Sequence, residues 1–170
     1  MKLKSIVCSA LSLFCAGFSS ASPLEVGADA PKLIAKDQDG KDVDLAAKFA
    51  RGLTLVYFYP KSDTPGCTKQ ACNLRDAFEN VRAAGIEVIG VSADKPTQQK
   101  AFASKYQLPF TLLADSDAKV MQAFGVPARA GRFAARQSFL IKDGKVIWVD
   151  LKASPASQSQ DAIAAAAKAK

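Results

Sequence analysis

The sequence predicts an α/β fold in which helices flank a central mixed β-sheet. Runs of β-branched and aromatic residues alternate with segments whose apolar residues recur at helical spacing. The last units along the chain are a strand hairpin and a helix, which adds antiparallel strands to an otherwise parallel arrangement. The chain has 170 residues, of which 49% are hydrophobic, and this is enough for one domain with a single core.

The N-terminal part of this domain is predicted to form a loop followed by a small hairpin. Residues 23–31 are typical of a lead-in loop. Segments 32–36 and 41–44 flank the pair Asp39-Gly40, which favours a tight turn between two strands. We therefore expect an N-terminal hairpin ahead of the main sheet.

A buried strand followed by a long helix is predicted in the middle of the chain. The run 53–59 is β-branched and aromatic, as in a central strand. Thr64 is a suitable N-cap and Pro65 a favoured first helical residue. The predicted helix runs to about Ala84 and ends at Gly85. Its apolar residues at helical spacing are Ala71, Leu74, Phe78 and Val81.

The rest of the chain continues the alternation and closes with a hairpin and a helix. The predicted elements are strands at 86–92 and 110–114, helices at 96–106 and 115–124, hairpin strands at 136–142 and 145–150, and an Ala-rich helix at 157–170. For the segment Ser157-Gln158-Ser159-Gln160 the sequence indicates no function beyond the start of that last helix.

The first 21 residues have the order of an export signal. Lys2 and Lys4 supply positive charge, and 6–18 is an apolar stretch too short to span a bilayer as a helix. Small residues then lead to a cleavage site after Ala21. We therefore predict a signal peptide at 1–21 and a periplasmic or otherwise exported location.

Removal of the signal would leave a single domain at 22–170 with no stable membrane association. Cys15 is a candidate for lipid attachment, but the residue before it is Phe14, where a small residue is expected. Of the four cysteines only Cys67 and Cys72 would remain, in a compartment that permits disulfides.

Composition disfavours two classes of function. The chain has no histidine, which removes the commonest general base and metal ligand. A structural zinc site uses four Cys or His ligands, so two cysteines alone do not predict a metal. The net charge of +7 is dispersed. Its densest cluster, Arg129, Arg132 and Arg136, lacks the interleaved aromatic residues that bind single-stranded nucleic acid, so we expect no nucleic-acid partner.

The spacing of Cys67 and Cys72 argues against a permanent disulfide. On one continuous helix, residues five apart differ by about 7.5 Å of rise and about 140° of rotation, so their Cα atoms lie roughly 8 to 9 Å apart. A disulfide requires them within about 7 Å. The bond can form only if the first turns of the helix unwind. A structural disulfide remains open, but the spacing favours a redox switch.

Cys67 falls in the first turn of the predicted helix, where it is favoured as a nucleophile. Unpaired N–H groups and the positive end of the helix dipole stabilise an anion there, and the thiolate is the reactive form of cysteine. The Thr64 hydroxyl is placed to donate to a thiolate or to a bound oxygen, and also to cap the helix. Cys72 has no such activation. A hydroperoxide would convert Cys67 to a sulfenic acid, with which the Cys72 thiol would condense.

This segment resembles the active site of peroxiredoxins. Pro60, Thr64 and Cys67 match the family motif Pro-x-x-x-Thr-x-x-Cys, and Cys72 matches the resolving cysteine of the Q-type, or bacterioferritin comigratory protein, branch. The resemblance extends over about 24–149. It implies a thioredoxin-like fold and thiol-dependent reduction of hydrogen peroxide and organic hydroperoxides, with no metal or bound organic cofactor.

The resemblance also implies a role for each site residue. By this resemblance Pro60 shields the pocket, and Thr64 and Arg136 bind the peroxide and activate the thiol. Cys67 is the peroxidatic cysteine, and Cys72 is the resolving cysteine. Arg136 is the candidate for the family's arginine because 136–141 matches the strand that carries it. Arg129 and Arg132 are nearby competitors.

The predicted partners follow from the same resemblance. Many relatives are cytosolic and use thioredoxin, whereas an exported chain needs an exported thioredoxin-like or other thiol reductant. A monomer is expected because both cysteines lie in one chain. Two other functions stay open: a thiol–disulfide oxidoreductase acting on proteins, which usually carries Cys-x-x-Cys, and a binding domain with an inert disulfide.

Overall fold

Residues 22–169, the part of the chain described by the computed structural model, contain nine strands and six helices. The strands are β1 (Ile34–Lys36), β2 (Asp42–Asp44), β3 (Leu53–Phe58), β4 (Ile86–Ser92), β5 (Thr111–Ala114), β6 (Ala128–Arg129), β7 (Phe133–Ala134), β8 (Ser138–Lys142) and β9 (Lys145–Asp150). The helices are α1 (Leu45–Phe49), α2 (Pro65–Asp76), α3 (Phe78–Ala83), α4 (Pro96–Tyr106), α5 (Lys119–Ala123) and α6 (Gln158–Ala167).

The central sheet has five strands in the order β5-β4-β3-β8-β9. β3 runs parallel to β4 and β4 to β5, because helical crossovers join them. β8 is antiparallel to both of its neighbours, and a tight turn joins it to β9. The mixed sheet predicted from the sequence is therefore confirmed, as is the N-terminal hairpin, in which β1 and β2 pair antiparallel.

β3 lies in the middle of the sheet and contributes to an apolar layer on each face. All six of its residues are buried. Val56 and Phe58 belong to one layer, whereas Leu55 and Tyr57 belong to the other, as the alternation of side chains along a strand requires. Cys67 packs in the second layer. The first turn of α2 is thus held against the sheet by the same apolar contacts that form the core.

The long helix predicted from Thr64 to Ala84 is in fact two helices, α2 and α3. They meet at Ala77, whose φ of −97° and ψ of 12° lie outside the α-helical region. The apolar period continues across this residue without a proline or glycine, so nothing local in the sequence marks the break. α3 then packs against β4 and α6.

Other features also depart from the sequence-based prediction. Helix α1 and the hairpin of β6 and β7 were not predicted, because elements of two to five residues are too short to show a period. Arg136 lies two residues before β8 rather than on the strand.

The predicted signal peptide at 1–21 lies outside the described residues. Within 22–169, no helix is both long and apolar enough to cross a membrane.

Candidate active site

Cys67 is the third residue of α2 and only 1% of its surface is exposed. Pro65 occupies the first helical position, as predicted. Cys72 lies further along the same helix and is half-buried. Both cysteines are free thiols. Since one unbroken helix carries both residues, the geometric barrier to a disulfide applies in this conformation.

Arg136 is the arginine that reaches Cys67. Its Nη2 donates to Cys67 Sγ at 3.4 Å. Gly66 leaves room for this approach, because a Cβ there would lie 3.3 Å from the same nitrogen. A guanidinium at this distance stabilises a thiolate more than a thiol. The competitors Arg129 and Arg132 are exposed, and the tertiary structure brings Arg136 to the sulfur.

Thr64 occupies the N-cap position but does not cap α2 with its side chain. Its Oγ1 donates instead to the Lys61 carbonyl at 3.0 Å. The predicted donation to the sulfur and the predicted side-chain capping of the helix are therefore not made in this conformation. The backbone of Thr64 still begins the helix, since its carbonyl accepts from the Thr68 N–H at 2.8 Å.

Gln70, which belongs to no sequence motif given above, completes the contacts of the guanidinium. It lies one turn after Cys67 and is fully buried. Its Oε1 accepts from Arg136 Nη1. The guanidinium is therefore held in place by two acceptors, the Gln70 oxygen and the Cys67 sulfur. The available signal was a polar side chain on the apolar face of the helix, three residues after Cys67 and four before the buried Leu74.

A buried polar cluster fastens the loop that joins β3 to α2. Tyr59 Oη donates to Gln99 Oε1, and Ser62 Oγ donates to the same oxygen at 3.1 Å. The Ser62 N–H also donates to Asp94 Oδ2 at 2.7 Å. Pro60, which is half-buried, lies between Tyr59 and Ser62. Its position is therefore set by hydrogen bonds on both sides.

Tyr57 belongs to the same apolar layer as Cys67. Burial raises the pKa of Tyr57 well above its usual value; the nearby Tyr59 and Cys67 raise it further, and Arg136 opposes them. Its hydroxyl has no hydrogen-bond partner within residues 22–169. A Cβ at Gly90 would lie 2.7 Å from this oxygen, so the ring packs directly on the glycine. Tyr57 stays a neutral phenol at ordinary pH.

Asp63 fixes the turn just before α2. Its φ of 60° lies in the left-handed region, which Asp and Asn tolerate better than most residues. The carboxylate accepts from Lys105 Nζ at 2.8 and 2.9 Å and from Tyr106 Oη at 2.6 Å. These bonds, that of Lys105 foremost, hold the pKa of Asp63 below its usual value.

Replacing Asp63 by asparagine is expected to weaken the acid dependence of stability. Because the folded pKa is lowered, the ionised group stabilises the fold above its unfolded pKa of about 3.9, and this contribution is lost as pH falls through the folded value. The substituted asparagine keeps the left-handed backbone but not the charge. We expect the D63N curve of unfolding free energy between pH 3 and 7 to be flatter, by a modest amount for so exposed a pair.

Denaturant unfolding at several pH values checks this prediction, with K105M as the companion variant. K105M removes the main partner of the carboxylate and should flatten the same arm of the curve. Parallel curves for D63N and the unmodified chain across this range would contradict it.

These contacts together support nucleophilic chemistry at sulfur. A buried cysteine at a helix start lies beside a guanidinium, and a second thiol lies on the same helix. Within the described range, no cluster of three or more Cys, Asp or Glu side chains is arranged to hold a metal ion. The site therefore offers a thiol pair with one fixed positive charge.

Comparisons with known sequences show similarity to one protein family and to its plant members. The pattern of the AhpC/TSA family matches residues 26–149. The chain is 46% identical over 135 residues to the chloroplastic peroxiredoxin Q of Gentiana triflora, covering 78% of this chain and 62% of that protein. It is 48% identical over 118 residues to that of Populus jackii, covering 69% and 55%. The chain thus spans less than two thirds of the length of these relatives.

Solved structures show the same similarity over nearly their whole length. Peroxidoxin BcpB of Mycobacterium tuberculosis superposes with a TM-score of 0.80 at 28% identity, covering 86% of this chain and 99% of that one. The bacterioferritin comigratory protein of Xanthomonas campestris gives 0.78 at 29% identity, covering 88% and 99%. These similarities confirm the predicted arrangement of helices around a mixed sheet.

Proposed function

This chain belongs to the AhpC/TSA family as a Q-type peroxiredoxin with a thioredoxin-like fold, and on that premise we propose that it is a thiol-dependent peroxidase that reduces hydrogen peroxide and organic hydroperoxides. The observation that carries the proposal is the 3.4 Å contact between Arg136 Nη2 and Cys67 Sγ. A permanent cation beside a buried sulfur favours the thiolate and is placed to polarise an O–O bond. The work on the X. campestris relative concerns its alkyl peroxide reduction activity, which supports organic hydroperoxides as substrates here.

In the first step the Cys67 thiolate attacks one oxygen of the hydroperoxide. An S–O bond forms and the O–O bond breaks, so sulfur is oxidised to a sulfenic acid and the leaving oxygen departs, protonated, as an alcohol or water. Arg136 stabilises the charge that develops on that oxygen. Pro60 shields the sulfur from solvent. Thr64 binds the peroxide once its hydroxyl turns away from the Lys61 carbonyl.

In the second step the Cys72 thiolate attacks the sulfur of the Cys67 sulfenic acid. An S–S bond forms and hydroxide leaves, taking up a proton to become water. Because both residues lie on α2, the segment 65–72 must lose its helical conformation for the sulfurs to meet. An external dithiol then reduces the disulfide and restores both thiols.

The cellular setting belongs to the same proposal. With a signal at 1–21 and a single domain at 22–170, the enzyme acts as a monomer in the periplasm or another exported location. Its electron donor there is a thioredoxin-like or other thiol reductant. The plant relatives are chloroplastic proteins, so this location would differ from theirs.

Two assays on one preparation of the full chain test the proposed reaction. We expect hydrogen peroxide and cumene hydroperoxide to be consumed with dithiothreitol as electron donor. We expect insulin disulfides to be reduced no faster than by dithiothreitol alone. Reduction of insulin without consumption of either peroxide would instead indicate a thiol–disulfide oxidoreductase.

Peptide mapping tests the intramolecular disulfide. Trypsin cleaves after Lys61, Lys69 and Arg75, which puts Cys67 and Cys72 in separate peptides, 62–69 and 70–75. After one equivalent of peroxide and alkylation without reduction, these two peptides should migrate as one linked species. Separate peptides, with Cys67 further oxidised, would rule out resolution by Cys72.

A further inference from the structure

We propose that Gln158, the first residue of the C-terminal helix α6, is a positioning residue that holds Arg136 against Cys67 by acting through Gln70. The inference rests on the proposed peroxidase function and extends it to a part of the chain that is distant from the cysteines in sequence. Gln158 is fully buried. It belongs to the segment 157–160, for which the sequence indicated no role.

A continuous line of hydrogen bonds joins α6 to the reactive sulfur. Gln70 Nε2 donates to Gln158 Oε1 at 2.7 Å, and Ser138 Oγ donates to the same oxygen at 2.8 Å. Gln70 Oε1 accepts from Arg136 Nη1, and Arg136 Nη2 donates to Cys67 Sγ. The glutamines and Ser138 are all fully buried, so solvent does not compete for the two bonds to Gln158.

The chemistry of the groups fixes the direction of every bond in this line. A guanidinium has only donors, so Gln70 must turn its oxygen toward Arg136 and its NH₂ group away. That NH₂ group meets the Gln158 oxygen, which Ser138 holds in place. If the Gln158 amide were turned over, two NH₂ groups would face each other. The Gln158 oxygen therefore holds Gln70 in the one orientation that presents the Gln70 oxygen to the guanidinium.

The other end of the Gln158 amide supports a directed role. Its Nε2 is buried and has no hydrogen-bond partner in the described part of the chain. A buried N–H without an acceptor is unfavourable, and a residue that only filled the space between helices would avoid it. The carbonyl oxygen, by contrast, accepts two bonds, and one of them comes from Gln70.

Substitutions at Gln158 that keep or remove its acceptor oxygen test the proposal. Q158M removes the oxygen at nearly the same volume, and Q158E keeps it. For Q158M we expect the second-order rate constant with hydrogen peroxide to fall roughly tenfold, since a misplacement of about 1 Å costs up to roughly a hundredfold. The pH of half-maximal rate should move upward, because a displaced guanidinium stabilises the thiolate less. Q158E should restore both quantities.

Asn73 provides the matched control for helix packing. Its side chain makes two other bonds from α2, one to the turn before α6 and one to α6 itself: Nδ2 donates to the Ala156 carbonyl at 2.9 Å, and Oδ1 accepts from the Ser159 N–H at 2.8 Å. N73A should therefore leave the rate and its pH midpoint unchanged. If Q158M does not fold by circular dichroism, Q158L takes its place.

Two results would overturn the role of Gln158: a Q158E rate as low as that of Q158M, or a loss in N73A equal to that in Q158M. A second readout separates this outcome from failure of the peroxidase proposal. The pH dependence of iodoacetamide labelling of Cys67, followed in peptide 62–69, requires no peroxidase activity. The pH at which labelling is half-maximal should be higher in Q158M than in the unmodified chain and should return to the original value in Q158E. This result is expected even if the unmodified chain consumes no peroxide.

Discussion

Replacing Cys67 by serine is expected to reduce the rate of peroxide consumption by at least roughly a thousandfold. Losses of this size and larger are seen when an enzyme's nucleophile is removed. A serine hydroxyl beside Arg136 cannot form a sulfenic acid, so the S–O bond of the first step has no sulfur to form on. The measurement uses the full chain, one equivalent of hydrogen peroxide and no reductant. Under these conditions each competent chain consumes one peroxide.

Cys72→Ser is the matched control, because it removes the other thiol of the same helix. C72S should still consume one equivalent of peroxide and should retain the sulfenic acid, which dimedone labels in peptide 62–69. Consumption that persists in C67S and disappears in C72S would show that the two roles are reversed.

Replacing Arg136 by methionine is expected to lower the second-order rate constant with hydrogen peroxide by about 10² to 10³. This is the typical cost of removing one donor that stabilises developing charge. The methionine retains bulk between Cys67 and Gln70 but offers no donor to either. The pH of half-maximal rate should also rise, because the thiolate loses its neighbouring cation. Stopped-flow kinetics over a range of pH measures both effects.

Two further arginine variants show whether charge or geometry is responsible. R136K keeps the charge but cannot contact Gln70 and Cys67 through a planar fork, so its rate should lie between those of R136M and the unmodified chain. R132M removes an exposed arginine of the same cluster and should have no effect. An R136M rate equal to that of R132M would disprove a role for Arg136 at the sulfur.

The elements that the sequence predicted best are those bounded by strong local signals. The strand at 86–92 and the helix at 96–106 have the bounds that the sequence predicted, because a glycine precedes the first and a proline opens the second. The break at Ala77 was missed for the opposite reason. No residue there disfavours a helix, and the packing of α3 against β4 and α6 is a matter of tertiary contacts.

In the site, too, local sequence signals indicate some features, whereas others depend on tertiary contacts. The motif from Pro60 to Cys72 lies within one loop and one helix, so the sequence and a family resemblance were enough to propose its residues as the site. The orientation of the Thr64 hydroxyl could not, because the Lys61 carbonyl competes for it. Gln70 and Gln158 are 88 residues apart, and no local pattern connects them.

The sequence by itself determined that two cysteines share one helix at a spacing that forbids a disulfide while the helix is intact, and that no histidine assists them. Both conclusions depend only on residue identity and helical geometry. The tertiary structure alone decided which charge and which amides surround the sulfur. Arg136 is 69 residues from Cys67 and reaches it because β8 pairs with β3, which ends just before α2 begins. Such contacts depend on how the whole core packs, whereas backbone preferences extend over only a few residues.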